Sequence, residues 1–79
     1  MNNSPNIQQE LKDTIDTENS YMQYGEPMIP NSNDAHGMHI SGHKKFRQSL
    51  IENGDDDDEN ALRLLDAHIE LHEEYESLI

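Results

Sequence analysis

The chain has 79 residues, only 32% of them hydrophobic, with one Phe, three Tyr, no Trp and a formal net charge of −12. So few large apolar groups bury little surface, so a partner, an oligomer or a bound metal is expected to supply part of the stability. The acid excess argues against ordinary nucleic-acid binding, which needs Lys and Arg on phosphates, and the absence of cysteine removes disulfide frameworks and thiolate sites.

No apolar run reaches membrane-spanning length. The start, MNNSPNIQQELKD, lacks the basic residues and apolar core of a signal peptide. A soluble protein that stays where it is made is therefore expected. Charge is unevenly placed. Residues 55–79 carry ten acids against Arg63 alone, whereas residues 34–54 carry a net charge of +1.

Residues 1–33 read as a flexible polar arm, largely disordered or extended. Asn, Gln, Ser, Thr and Pro dominate it, and burial there cannot offset the entropy of ordering. A short helix is expected at about residues 7–15, where Ile7, Leu11 and Ile15 recur at i, i+4 and i+8. The Tyr24–Asn31 stretch, punctuated by Gly25, Pro27 and Pro30, is expected to be extended or turn-like.

Residues 34–79 read as an all-α antiparallel helical hairpin faced with histidine. Its first helix is expected to start near Asn33 or Asp34, either of which can cap, and to run to about Glu52. Asn53-Gly54 supplies the stop. Gly37 and Gly42 each weaken this helix by roughly 1 kcal/mol relative to alanine. The second helix is expected to start in Asp55–Asp58, where Asp56 and Glu59 have the form of a capping box, and to run to about Leu78.

At about 100° per residue, the helix faces can be drawn. On the second helix His68 shares a face with Ala61, Leu64, Leu65, Leu71, His72, Tyr75, Leu78 and Ile79. On the first, His43 shares a face with His36, His39, Ile40, Phe46, Arg47, Leu50 and Ile51. With the turn centred between residues 55 and 56, His39 falls opposite His72 and His43 opposite His68. Ile40, Phe46, Leu50, Leu64, Leu65, Leu71 and Tyr75 then form the interface.

Two readings of His39, His43, His68 and His72 follow. The first is a packing seam of half-buried imidazoles hydrogen-bonded to each other, to backbone or to neighbouring subunits. It needs no cofactor. The second is a four-nitrogen site for zinc or another borderline metal, since i, i+4 pairs let two imidazoles on one helix share an ion. No cysteine or inward carboxylate is legible beside them.

Hydrolytic zinc chemistry fits poorly, because His68-Ile69-Glu70-Leu71-His72 puts its glutamate on the opposite face from the histidines. A calcium loop starting at Asp55 fails too, because its sixth position is Asn60 rather than glycine. Glycine-rich phosphate loops and nucleophile elbows are absent from the sequence. No catalytic residue is assigned, and a non-enzymatic protein is expected.

The run Asn33-Asp34-Ala35-His36-Gly37-Met38-His39-Ile40-Ser41-Gly42-His43-Lys44-Lys45-Phe46, preceded by Met28-Ile29-Pro30 and followed by His68-Ile69-Glu70-Leu71-His72-Glu73, resembles a known pattern. It is similar to the histidine-rich C-terminal region of tailed-bacteriophage portal (head-to-tail connector) proteins, over about residues 28–75. The match covers a hairpin and not the portal body. The resemblance implies a small structural or assembly protein of the virion, present in host cytoplasm during assembly. It also implies a ring of copies around the DNA passage, each hairpin packing on its neighbours or on other virion proteins. Direct sequence-specific nucleic-acid binding and membrane association are not expected. The acidic second helix would suit a surface that repels packaged DNA. A third reading, an acidic regulator that binds a basic partner, rests on charge alone.

Overall fold

A computed structural model describes residues 7–53 and 58–78, excepting the side chains of residues 7 and 8. Its described residues form three helices: α1 (Ile7–Gln23), α2 (His36–Asn53) and α3 (Glu59–Ser77). The all-α class and the antiparallel α2–α3 pair are those expected. Contacts run in descending order along α3 as they ascend α2, from His39 on His72, through His43 on His68, to Arg47 on Asp66. No described helix is long and apolar enough to cross a membrane.

The arm differs from the expectation of a largely disordered or extended segment. The helix expected over about residues 7–15 continues to Gln23 and packs across both α2 and α3. Leu11, Ile15 and Met22 supply its inward stripe, and Ile15 and Met22 are buried. Between them the inward positions are Glu18 and Asn19, which interrupt the apolar pattern. Tertiary packing thus supplies what local propensity does not.

The end of α1 is encoded by glycine. Gly25 has φ +92°, the Gly25 N–H donates to the Met22 carbonyl at 3.0 Å, and the Glu26 N–H donates to the Tyr21 carbonyl at 2.9 Å. This is a Schellman stop, and Pro27 follows it. The chain then runs extended along the hairpin, burying Pro30 and half-burying Met28.

Helix α2 starts two residues after Asp34, later than expected. The Asp34 carboxylate accepts the Asn31 N–H at 2.9 Å, so it closes the preceding turn instead of capping the helix. Ala35 takes the cap position, and its carbonyl accepts the His39 N–H at 3.0 Å. Gly54, Asp55–Asp57 and Ile79 lie outside the described residues, so the expected glycine stop and the Asp56–Glu59 box are not described. The N-cap of α3 is Asp58, which makes no side-chain capping bond.

The apolar core is small. Met22, Leu50, Ala61 and Leu65 cluster, with Met28, Phe46, Leu62 and Leu64 packed against them. Of the expected interface residues, Leu50 and Leu65 are buried, while Ile40, Phe46, Leu64 and Tyr75 are half-buried. Tyr75 stacks on the His36 ring at 5.1 Å between centroids. Leu71 is exposed. Ile69, absent from the expected face, is buried. It borders Lys44, Arg47 and Gln48 of α2, whose long stems can cover apolar surface.

Candidate metal centre

The two i, i+4 pairs meet as the simplest register requires. His39 and His72 ring centroids lie 4.7 Å apart, and those of His43 and His68 lie 4.6 Å apart. All four histidines are at most 1% exposed. The structure adds an inward carboxylate, Glu18 of α1, which the sequence did not reveal. Its Oε1 lies 3.2 Å from His39 Nδ1, 3.2 Å from His43 Nε2 and 3.5 Å from His68 Nε2. One ligand atom from each of Glu18, His39, His43, His68 and His72 lies within 4.8 Å of every other.

The outward ring nitrogens determine where the inward lone pairs point. His43 Nδ1 is 2.7 Å from Asn19 Oδ1, and His68 Nδ1 is 2.7 Å from the Met28 carbonyl. Both oxygens can only accept, so each Nδ1 carries the proton and each neutral ring presents a bare Nε2 inward. His72 is fixed through a relay. The Ser32 carbonyl, 3.2 Å away, accepts from His36 Nε2, leaving His36 Nδ1 as an acceptor for His72 Nδ1 at 2.8 Å. His72 Nε2 is therefore also bare and inward.

His72 Nε2 and His68 Nε2 approach to 3.1 Å with both protons on their far sides, so neither donates to the other. Glu18 Oε1 is buried without a hydrogen-bond partner. These are groups that accept and do not donate, gathered about one point. Such an arrangement is unfavourable unless a cation or an added proton sits among them.

The shorter separations suit a metal ion. Ligand atoms about 2.1 Å from a common ion sit roughly 3.0–3.4 Å apart at angles of 90–109°, and about 4.2 Å apart on opposite sides. The shorter separations here are 3.1 to 3.5 Å. The tied outward nitrogens are the orienting contacts that metal-bound histidines make.

Protonation of the metal-free cluster is divided among its members. Burial pushes His72 down to about 4, helped by the neighbouring His68, His39 and His43. Burial also lowers His43, against the pull of Glu18. For His68, burial is outweighed by Glu18, the Met28 carbonyl and Asp34, so its pKa is raised. Burial alone would raise the Glu18 carboxyl, but His43, His68 and His39 hold it well below the usual carboxylate range. The cluster thus favours a positive charge at its centre.

The basic segment of α2 faces the acidic α3, as the charge contrast predicts: Lys44 pairs with Glu73 at 3.4 Å and Arg47 pairs with Asp66. No family model, curated protein or solved structure matches this chain.

Proposed function

We propose that the chain is a small non-enzymatic helical module in which His39, His43, His68 and His72 bind one divalent first-row transition ion of the zinc class. The convergence of imidazole nitrogens, with those of His43, His68 and His72 left bare by a fixed partner on the far side of each ring, carries this reading. Imidazole suits zinc, copper, iron and nickel, and no thiolate is present to bias the choice. A structural role is favoured over a catalytic one because the histidines are sealed from solvent. A catalytic zinc keeps a position open to substrate.

Zinc titration of the chelator-treated protein tests the proposal. One ion per chain is expected. At about a thousand times the dissociation constant the gain is about 4 kcal/mol, and melting should rise by roughly 15–30 °C. An unchanged melting temperature, or the same response in a His39→Ala/His72→Ala double variant, would refute it.

A second reading concerns where such a module works. The portal resemblance supports a virion assembly component, in a homo-oligomer or beside other virion proteins. Large apolar side chains left outside the fold, Tyr24, Ile29 and Leu78, suit docking. The two readings are compatible, since a metal-held hairpin is a rigid unit to assemble. Sedimentation of the metal-loaded protein checks this one. A monomer at high concentration that binds no phage head or tail component would count against it.

A further inference from the structure

The four histidines all belong to the α2–α3 pair, and by themselves they fill the coordination of a four-ligand ion. Glu18 does not belong to that pair. It projects from α1 into the centre of the histidine set, and its Oε1 is buried and lacks any hydrogen-bond partner. The next residue, Asn19, holds the outward nitrogen of His43, and the Met28 carbonyl, beyond the end of α1, holds that of His68. The N-terminal segment therefore supplies an inward carboxylate and two of the orienting acceptors.

We infer that Glu18 is a fifth ligand of the centre, and that a divalent ion bound there clamps α1 onto the α2–α3 pair. This rests on the metal reading given above. Among the described residues, a few apolar side chains, Ile15 and Met22 foremost, and the Asn19–His43 hydrogen bond otherwise hold α1 in place. Docking α1 without an ion places the carboxylate among imidazoles that can face it only by taking up a proton. Docking it on a divalent ion neutralises half of that ion's charge. Metal occupancy and α1 docking therefore favour each other by linkage.

Hydrogen exchange by mass spectrometry on the full chain, with zinc and with chelator, tests this without any variant. Zinc should slow exchange of the α1 amides by at least about tenfold. Glu18→Gln keeps the shape and removes the charge. It should still bind through the four histidines, at least about tenfold more weakly, with α1 exchanging as in the metal-free protein. Substituted with cobalt(II), the wild type should give the weaker visible bands of a five-coordinate ion and Glu18→Gln the stronger bands of a four-coordinate one. If wild-type protein takes zinc while α1 exchange is unchanged, or if Glu18→Gln matches wild type in affinity and cobalt spectrum, the clamp is refuted and the four-histidine site stands. If neither protein takes metal, both readings fall.

Discussion

Gly42 lies in the interior of α2, where alanine would normally stabilise a helix by about 1 kcal/mol. Here a Cβ would sit 2.7 Å from Cγ2 of Ile15 on α1, well inside ordinary contact. Cγ2 is a branch at Cβ, and a β-branched side chain in a helix has essentially one χ1 rotamer, so it cannot swing aside. Relief requires α1 to move by somewhat less than about 1 Å, and overpacking of this kind costs about 1–3 kcal/mol. The net effect of Gly42→Ala in the wild-type background is therefore expected to be a loss of about 0–2 kcal/mol. In an Ile15→Leu background the obstructing branch is gone while side-chain volume is kept. There the same substitution should stabilise by about 1 kcal/mol. The coupling between the two sites should then be about 1–3 kcal/mol, within the range for residues in contact. Urea midpoints of the four zinc-saturated proteins, compared at a common slope, read it directly. Equal stabilisation by Gly42→Ala in both backgrounds would show that α1 does not lie over Gly42, and the three-helix arrangement would be wrong.

Two further outcomes follow from the centre. Asn19→Ala removes the acceptor that orients His43 and should weaken zinc binding by about 10–100-fold, as loss of such contacts does, measured by competition with a chelating dye. An unchanged affinity would show that the His43 tautomer is not set by Asn19. Metal-free protein should lose stability as pH falls from about 6.5 to 4. The depressed imidazoles of His72 and His43 take up protons in the unfolded chain first, and His72 alone, lowered to about 4, accounts for about 3 kcal/mol. The raised His68 acts in the opposite sense: its contribution is fully present below about 6.5 and is lost as pH rises above it, so it changes little across this window. Melting curves between pH 7.5 and 4.5 that stay flat would mean the imidazoles are solvated.

The hairpin and its histidine pairing were legible because both depend on periodicity. Two i, i+4 pairs on two amphipathic segments joined by a short link leave few registers. Glu18 was not legible because the site itself erased the signal. A helix whose inward face reads Leu11, Ile15, Glu18, Asn19, Met22 looks as though it ends at Ile15, although the step of seven positions from Ile15 to Met22 is two turns. The Gly25 stop after Met22 was the cue that the helix runs that far. Gly42 was a second cue, a poor helix former where the Ile15 side chain of α1 passes close. Ile69 escaped because, one residue from His68, it lies about 100° from the centre of the face drawn, yet it is buried.

The composition and the site are two aspects of one arrangement. Among the described residues the largest fully buried side chains are Met22, Leu65, His39, His43, His68 and His72. Four of these six are imidazoles, at positions where a domain of ordinary composition places leucine or phenylalanine. Aliphatic replacements would give a conventional three-helix core needing nothing further. Imidazoles with inward lone pairs around a carboxylate give a core that repels itself until a cation enters. Under the proposed metal binding, stability that a hydrophobic chain derives from burial alone would come from coordination, as in small domains that are unfolded without their metal. A chain with so little apolar content is thus expected to be marginal alone and firm when loaded. The metal would then decide whether α1, with the exposed Tyr21 and Tyr24 at its end, is presented in a fixed place.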